Sequence, residues 1–495
     1  MDPNPKLVDS QSNGMAHHHS LFPDEVLEKV LSLIDLHKDR NSVSLVCKVW
    51  YNAERWTRSN IFIGNCYSVS PEIVARRFPR IKSVRLRGKP RFSDFNMLPQ
   101  EWGPNVHSWL VMFADVYPFL EELRLKRMTV RDESLELLAK SFTGFKALSL
   151  SNCMGFTDDG LKAIATHCSD NFTSLEILNF VSLYDEVNFD ALERLVNRCQ
   201  SLRVLRVNDS ITLDQLQRLL VHAPHLTELG TGSFEKELTT SQYVEIESAF
   251  TKSKNLRALS GLWFAEGLHL YFLYGACAGL TFLNLSTSYL QKDELAKLLV
   301  HCPNLRRLWI TDIVQDKGLE AVGSSCPLLE ELRVSQLEAF NIYPRCGVTE
   351  QGLLAVSLGC PKLRYVLYYC RRMTNAAIIS IVQNCPNFTH FRLCMLKPDQ
   401  PDCLTNEPMN DAFAAVVKAC PNLRRLSFSG LLTDMVFDYI GNYAKNLENL
   451  SMTCAGSANR GMQRVLEGCP KLRKLQIQDS HSGEKLCFLG SRGTR

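Results

Sequence analysis

Apolar residues recur along most of this chain in short runs with the spacing L-x-x-L-x-L. Six of these runs open with a cysteine and a proline, as in C-P-N-L at 302–305 and C-P-K-L at 360–363. The first apolar residues of successive runs mostly lie 24 to 30 residues apart, a period typical of leucine-rich repeats. Because alternate side chains of a strand point to the same face, each run predicts a short strand with its leucines buried.

The segments between these runs show helical periodicity. D-A-L-E-R-L-V-N-R-C at 190–199 and G-L-E-A-V-G-S-S-C at 318–326 place apolar residues at helical spacing. Each repeat is therefore predicted to be a strand followed by a helix, and stacking buries a leucine ladder that one repeat alone cannot bury. The expected fold class is α/β, with an N-terminal helical unit followed by a leucine-rich-repeat solenoid, or horseshoe.

Three intervals are longer than the others and carry extra residues just beyond a strand. These inserted segments lie at 88–96, 335–344 and 394–402. Insertions at one phase of a solenoid emerge on one face, so the three segments are expected to meet over the concave side. The alternative is that they are unrelated surface loops.

Strand alternation also predicts which side chains line the concave wall. If the leucines are buried, the positions between them face outward, and these include Arg85, Arg87, Arg124, Lys126, Arg333, Arg392, Arg425 and Lys474, beside Tyr369, Ser427 and Ser451. Guanidinium forks and ammonium groups at this density suit a carboxylate or phosphate ligand. The alternative is a row of solvated charges without a ligand.

Composition excludes several classes of protein. The 495 residues carry 56 basic and 52 acidic side chains, so the net charge of +4 argues against general nucleic-acid binding. No signal-like N-terminus and no uninterrupted apolar run of membrane-spanning length is present, which favours a cytosolic or nuclear protein. No nucleophile, nucleotide-binding or metalloprotease motif occurs in a matching context, so no enzyme is expected.

The chain has 18 cysteines but no C-x-x-C pair. Six of them precede a proline within the repeated phrase, namely Cys302, Cys326, Cys360, Cys385, Cys420 and Cys469. We expect these to be small buried core residues in a reducing compartment, and we expect no metal site.

Upstream of the repeats lies a separate unit. Residues 1–20 are polar and are predicted to form a disordered tail, which includes three histidines at 17–19. The stretches 21–34 and 39–50 predict two amphipathic helices, the first beginning near Pro23, which has a fixed backbone suited to a first helical turn.

The segment 21–56 resembles an F-box, through P-x-E-V-L, S-L-V-C-K and a following tryptophan. The resemblance implies an F-box domain at 21–60 that packs on a Skp-type adaptor and so joins a cullin ubiquitin ligase. Its adaptor-binding residues are expected to be Pro23, Val26, Leu27, Leu45, Val46 and Trp50.

Further motifs are similar to the auxin-receptor family of F-box proteins. They are I-F-I-G-N-C-Y at 61–67, R-R-F-P at 76–79, L-R-L-K-R-M at 123–128, F-R-L-C at 391–394 and L-R-R-L-S-F-S-G-L-L-T-D at 423–434. In that family auxin lies in the concave pocket between the receptor and a degron peptide of an Aux/IAA repressor, above inositol hexakisphosphate. The resemblance implies a nuclear, non-catalytic substrate-recognition subunit of an SCF-type ligase, with auxin as ligand and inositol hexakisphosphate as cofactor.

The resemblance also implies three sets of site residues. Auxin binding is expected at Arg392, Ser427, Phe92, Phe95, Tyr369, Leu393, Cys394 and Ser451. Degron contact is expected at Phe340, Arg91 and Asp94. Inositol phosphate binding is expected at Arg87, Lys126, Arg127, Arg333, Arg392, Arg425, Arg473 and Lys474, of which Arg127 and Arg473 are not positions that alternation would select.

The sequence departs from the family pattern at Arg91, Tyr369, His390, Asp399 and Gln476. One repeat of the pattern is missing around 168–175. The solenoid is expected at 61–486, with a tail at 487–495 and no terminal cap, which would expose the apolar edge of the last repeat. Two alternatives therefore stay open, namely a shortened paralogue that binds the Skp adaptor but is not hormone-competent, and a jasmonate-type receptor.

Overall fold

The N-terminal unit consists of three short helices, α1 Asp24–Ser32, α2 His37–Val43 and α3 Lys48–Thr57. The computed structural model describes residues 24–34, 37–89, 104–167, 172–178, 189–207, 211–235, 238–336, 347–455, 458–479 and 485–489. The N-terminal tail predicted at 1–20 lies outside these residues, so that prediction stays untested.

The expected single helix over 39–50 is interrupted. Ser44 donates a hydrogen bond from its side chain to the carbonyl of Asn41 at 2.8 Å, and Cys47 has an extended backbone. Such side-chain bonds compete with the helical backbone pattern, and the chain therefore forms α2 and α3 in place of one helix.

Seventeen strands form a single sheet in the described part of the chain. The first sixteen pair in parallel with their neighbours in sequence, as the repeat pattern predicts. The strands are β1 Asn60–Ile63, β2 Ser83–Arg87, β3 Glu122–Lys126, β4 Ala147–Ser151, β5 Ser174–Leu178, β6 Val204–Arg206, β7 Glu228–Gly230, β8 Ala258–Ser260, β9 Phe282–Asn284, β10 Arg307–Thr311, β11 Glu331–Ser335, β12 Tyr365–Cys370, β13 His390–Met395, β14 Arg425–Leu432, β15 Asn449–Ala455, β16 Lys474–Asp479 and β17 Lys485–Leu489.

A helix follows almost every strand, and consecutive helices pack side by side. The helices are α4 Pro71–Arg77, α5 His107–Val116, α6 Asp132–Ser141, α7 Asp158–His167, α8 Phe189–Arg198, α9 Leu213–His222, α10 Thr240–Lys252, α11 Tyr274–Cys277, α12 Lys292–Leu299, α13 Gln315–Ser325, α14 Glu350–Gly359, α15 Asn375–Asn384, α16 Asn410–Ala419, α17 Met435–Tyr443 and α18 Ala458–Gly468. Short 3-10 helices occur at Gly267–His269, Tyr271–Leu273 and Asp312–Val314. The predicted α/β solenoid is confirmed.

The core lies between the sheet and the helices. Leu308, Leu332, Val366 and Phe391 occupy matching positions on four consecutive strands and are buried. This row is the leucine ladder that the sequence predicts, and its burial is the main favourable contribution to holding the repeats together.

The cysteines of the repeated phrase are buried as predicted. The Cys360 thiol lies 3.2 Å from the carbonyl oxygen of Cys326, one repeat earlier, and Cys385 is related to Cys360 in the same way. Burial raises the pKa of the Cys326 thiol to about 12, so the thiolate form is disfavoured. Within the described residues, no three histidine, cysteine or acidic side chains are grouped to hold a metal ion.

Half-buried carboxylates tie one repeat to the next. Asp132 at the start of α6 accepts hydrogen bonds from the main-chain N–H and the hydroxyl of Thr157, both at 2.7 Å. Asp316 at the start of α13 holds Thr349 in the same way, at 2.8 and 2.7 Å. Each carboxylate therefore satisfies N–H groups at the beginning of the following helix, which have no partner within that helix.

The last described strand, β17, lies where the solenoid was expected to end. β17 pairs with β16 antiparallel over five residues, so the boundary expected at 486 falls inside a strand. The edge of β16, which the sequence predicted to be open, is paired, and pairing satisfies the main-chain groups of an edge. None of the described helices is both long and apolar enough to cross a membrane.

Candidate functional site

Two rows of side chains cross the strands on the face that is not covered by helices, here called the concave face. The middle row contains Trp309, Arg333, Leu367, Arg392, Ser427, Ser451 and Gln476 on β10 to β16. The first row contains Arg307, Glu331, Tyr365, His390, Arg425, Asn449 and Lys474. The basic residues predicted for this wall by alternation are exposed or half-buried, which confirms their strand phase.

A cavity of about 280 Å³, here called the strand pocket, lies over β12 to β16. It is lined by Tyr365, His390, Arg392, Arg425, Leu426, Ser427, Asn449, Leu450, Ser451, Lys474 and Gln476. Strands of five adjacent repeats therefore supply its floor, because parallel strands in register bring matching positions side by side.

Three cations of the strand pocket lack an acidic partner. Within the described residues, Arg392, Arg425 and Lys474 form no ion pair. By contrast, Arg206 on the same face is held by Glu176 at 3.1 Å and Glu228 at 2.7 Å. The strand pocket thus carries uncompensated positive charge, which favours an anionic ligand.

Arg333 lies in the same row but has a different environment. Its Nε is 2.7 Å from a carboxylate oxygen of Glu331, which also accepts a hydrogen bond from the indole of Trp309 at 2.9 Å. The guanidinium lies over the rings of Trp309 and Tyr365, with distances to their centroids of 4.0 and 4.8 Å. Its charge is already compensated, so Arg333 contributes less to anion binding than alternation suggests.

His390 takes part in the strand pocket as a neutral ring. It stacks on Tyr365 with centroids 5.0 Å apart, and its Nδ1 lies 3.0 Å from the Thr389 hydroxyl. Burial lowers the pKa of His390, and Arg425 and Arg424 lower it further. The ring is therefore neutral at neutral pH and becomes a fourth cation of the pocket only in acid.

Two of the predicted auxin-binding residues adjoin Arg392. Ser427 lies opposite Arg392 on the next strand, and Ser451 lies opposite Ser427. Both line the strand pocket, where a hydroxyl can donate to an anion or accept from a neighbouring guanidinium.

Three other predicted auxin-binding residues are placed differently. Tyr369 and Cys394 face each other on β12 and β13 and are half-buried. Burial raises the pKa of the Cys394 thiol, so it is protonated at neutral pH. The side chain of Leu393 is completely buried in the core, so only its main chain can contribute near the concave face.

A second group of cations lies on β2 and β3. Arg85 is beside Arg124 and Arg87 is beside Lys126 in the sheet. Of these four, only Arg124 has an acidic group within ion-pair distance in the described part of the chain, Glu122 at 3.9 Å. The sequence therefore correctly predicted a basic stripe on these strands.

Arg127 and Arg473 do not lie in the rows. Arg127 is buried and has a left-handed backbone, with φ 56°, and its main-chain N–H donates to Ser151 at 2.9 Å. Arg473 precedes β16 and is 3.8 Å from Glu448. Neither position agrees with alternation, and their inositol phosphate contacts stay predictions.

The third inserted segment, predicted at 394–402, is anchored to the solenoid. Asp402 is buried and accepts hydrogen bonds from the main-chain N–H of Asn375 at 2.6 Å and of Leu404 at 2.8 Å. The Asn375 side chain donates to the carbonyl of Pro408 at 3.1 Å. A carboxylate at the start of α15 thus fixes this segment beyond the end of β13.

The other two inserted segments fall largely on 90–103 and 337–346, outside the described residues. Their expected meeting over the concave side is therefore untested. The same holds for six predicted site residues, Pro23, Arg91, Phe92, Asp94, Phe95 and Phe340.

The N-terminal unit has an exposed apolar surface. Leu45 is 85% exposed, and Val26 and Val46 are also exposed, as expected of residues that dock a partner. The structure corrects the expectation for Leu27, which is 4% exposed and packs in the interior of the three helices. Trp50 is half-buried against the same interior.

An ion-pair cluster that the sequence did not reveal joins α3 to α4. The Glu54 side chain is 0% exposed and contacts the guanidinium of Arg58, and its other oxygen is 2.9 Å from Arg77. The Arg77 guanidinium also lies 3.6 Å from the ring centroid of Tyr51. This cluster fixes the N-terminal unit against the first repeat.

Comparisons with known proteins give a consistent family assignment. Residues 19–60 match the F-box family, and residues 79–125 match the transport inhibitor response 1 protein domain. GRR1-like protein 1 of Arabidopsis thaliana is 46% identical over 491 residues, which span 94% of this chain and 83% of that protein. A transport inhibitor response 1-like protein of Oryza sativa subsp. japonica is 44% identical over 491 residues, with shares of 94% and 83%.

More distant proteins are also similar. Coronatine-insensitive protein 1 of Arabidopsis thaliana is 30% identical over 497 residues, covering 92% of this chain and 81% of that protein. Among solved structures, a chain of the yeast Rad7 and Elc1 complex has a TM-score of 0.41 at 20% identity, covering 66% of this chain and 92% of that chain. The F-box match, the domain match and the relatives that span most of the sequence show that this chain belongs to the transport inhibitor response 1-like family of F-box proteins.

Proposed function

We propose that this protein is the substrate-recognition subunit of an SCF-type cullin ubiquitin ligase and that it recruits Aux/IAA repressors in response to auxin. The observation that carries the proposal is the strand pocket, where Arg392, Arg425 and Lys474 are without acidic partners in the described residues. Three neighbouring cations repel one another in the absence of an anion, and a bound carboxylate or phosphate relieves that repulsion.

Arg392 is the group best placed to bind the hormone carboxylate. It lies between Leu367 and Ser427 in the middle row, and Ser451 follows Ser427 on the next strand. A guanidinium offers two parallel N–H donors that match a carboxylate, and the neighbouring hydroxyl adds a third donor. The ring of the hormone would then extend toward Tyr369, along the direction of β12 and β13.

Arg425 and Lys474 lie one row further from Tyr369 and suit a polyphosphate. Arg425 is opposite Asn449, and Lys474 follows on β16. With the cations of β2 and β3 they would bind inositol hexakisphosphate beneath the hormone. Phosphate oxygens accept bidentate hydrogen bonds from arginine and point-charge contacts from lysine.

The N-terminal unit would connect the receptor to the ligase. Leu45, Val46 and Val26 form an exposed apolar surface that suits a Skp-type adaptor, through which a cullin is bound. The subunit itself carries out no chemical step, and we place it in the nucleus, where the repressors act.

The relatives support auxin as the proposed hormone. The transport inhibitor response 1-like protein is 44% identical, whereas coronatine-insensitive protein 1 is 30% identical. This difference favours auxin over a jasmonate. The alternative is a shortened paralogue that binds the adaptor but is not hormone-competent. An experiment must distinguish it from a working receptor.

The test is recovery of an Aux/IAA degron peptide by the purified protein in complex with its adaptor, with and without indole-3-acetic acid. Auxin should increase recovery with the unaltered protein and have no effect with Arg392→Ala. Arg392→Lys should restore little, because an ammonium cannot reproduce the two-donor fork. The matched control is Arg306→Ala, since Arg306 is exposed and paired with Glu330 outside the pocket. Hormone-independent recovery by all four proteins would contradict the proposal.

A further inference from the structure

A second cavity, of about 650 Å³, opens beyond the carboxyl ends of β7, β8 and β9. Here called the loop pocket, it is lined by Phe234, Glu235, Leu238, Tyr243, Phe264, Glu266, Leu268, His269 and Tyr289. It shares no residue with the strand pocket. No residue of the loop pocket is used in the function proposed above.

Aromatic rings form the walls of the loop pocket and are held in place. Phe264 and Tyr289 have centroids 6.0 Å apart, and Phe234 stacks on Phe272 at 6.0 Å. Phe264 has a left-handed backbone, with φ 62°, and its N–H donates to Thr287 at 3.0 Å. The surrounding structure therefore fixes an unfavourable backbone and presents the Phe264 ring to the pocket.

A buried histidine directs a hydrogen-bond donor to the loop pocket. His269 is 6% exposed, and its Nδ1 accepts a hydrogen bond from the main-chain N–H of Glu266 at 3.1 Å. Burial lowers the pKa of His269 despite the nearby Glu266 carboxylate, so the ring is neutral and its proton is on Nε2. This Nε2 has no hydrogen-bond partner among the described residues, and His269 lines the loop pocket.

Two carboxylates at the pocket have no cationic partner in the described part of the chain. Glu235 and Glu266 are exposed, and within the described residues neither forms an ion pair. Among the described residues, no lysine or arginine lines the loop pocket. Leu268 and Tyr271 add exposed apolar surface near its rim.

The chemistry of the loop pocket selects one class of ligand. Aromatic faces and carboxylates together attract an organic cation, whereas the Nε2 donor of His269 needs an acceptor such as a carbonyl oxygen. A peptide segment with a basic side chain supplies both groups. We propose that the loop pocket binds an arginine or lysine side chain of an extended protein segment, with a main-chain carbonyl of that segment accepting from His269.

The proposal is tested with the whole chain in complex with its adaptor. The probe is a fluorescently labelled Ala-Ala-Arg-Ala-Ala peptide with both ends blocked, compared with the same peptide carrying citrulline in place of arginine. Citrulline keeps the shape of arginine without its charge. Fluorescence anisotropy should show binding of the arginine peptide about tenfold tighter than of the citrulline peptide, from cation–π and carboxylate contacts together.

Variants assign the binding to the loop pocket. The double change Glu235→Gln and Glu266→Gln should bring the arginine peptide to the affinity of the citrulline peptide. His269→Phe should weaken both peptides by a similar factor, because it removes the donor to the shared carbonyl. Glu247→Gln is the control, since this exposed residue of α10 does not line the pocket, and it should change neither affinity. Unaltered melting temperatures establish that the variants are folded.

Three results would overturn the proposal. The first is equal affinity for the two peptides, and the second is no binding of the arginine peptide at millimolar concentration. The third is displacement of the arginine peptide by spermidine at concentrations equal to those of unlabelled peptide, which would assign the pocket to a small organic cation. None of these results depends on auxin or on a repressor, so failure here is separate from failure of the proposed function.

Discussion

The buried Glu54 cluster gives a sharp prediction about stability. Glu54→Gln keeps the shape of the side chain but removes the charge that Arg58 and Arg77 face. The Glu54 side chain is 0% exposed, and those of Arg58 and Arg77 are 8% and 18% exposed. Removing one partner from a buried pair costs about 3–5 kcal/mol, because the remaining charges stay buried without compensation.

A matched control is available in the first repeats. Glu121 also pairs with two cations, Lys82 at 2.9 Å and Lys146 at 2.7 Å, but its side chain is 27% exposed and theirs are 57% and 45% exposed. Glu121→Gln should therefore cost about 1 kcal/mol or less, since exposed pairs are screened by water.

Urea unfolding of both variants, followed by tryptophan fluorescence, measures the difference. Trp50 and Trp56 lie on α3 beside the cluster, so their emission reports the N-terminal unit. The midpoint should fall much further for Glu54→Gln than for Glu121→Gln. Equal midpoints would refute the conclusion that burial makes the Glu54 cluster the stronger connection.

Four further predictions concern the adaptor surface, the strand pocket and the contacts between repeats. Leu45→Asp should abolish co-purification with a Skp-type adaptor. Val300→Asp, a change at an exposed apolar position on the solenoid, should not. If both variants still co-purify with the adaptor, the proposed docking surface is contradicted. Inositol hexakisphosphate should raise the melting temperature, more at low than at high salt. Because the pKa of His390 is lowered, its charge appears only as the pH falls below about 6.5. The affinity for inositol hexakisphosphate should therefore rise on acidification, and it should rise more in the unaltered protein than in His390→Gln. Gly160→Ala should lower the melting temperature, since a Cβ there would lie 2.5 Å from the capping carboxylate, whereas Gly144→Ala, with nothing within 4 Å, should not.

The repeat architecture could be predicted because it depends on the spacing of apolar residues within and between short runs. Period and alternation locate the strands, and they place Arg392 and Arg333 correctly on the concave face. Alternation cannot distinguish the two, however, because the difference lies in the neighbouring side chains. Glu331 and Trp309 compensate Arg333, and this depends on contacts between strands.

Contacts between distant segments set the limit of prediction. Glu54 and Arg77 are 23 residues apart, and no period in the sequence relates them. Leu27 occupies an apolar position that fits either the interior or the surface of a small helical unit, and only the packing of three helices decides between them. The loop pocket was missed because His269 and Phe264 belong to connections that follow strands, where the repeat pattern carries no information.

Reconstituted ubiquitination tests whether the protein recruits an Aux/IAA repressor in response to auxin. The purified protein, its adaptor, a cullin and the ubiquitin-charging enzymes are combined with an Aux/IAA repressor, with and without auxin. We expect ubiquitin chains on the repressor that depend on auxin and are absent with Arg392→Ala. Ubiquitination that is equal with and without auxin, or absent in both cases while the protein is folded and bound to its adaptor, would contradict the proposed function.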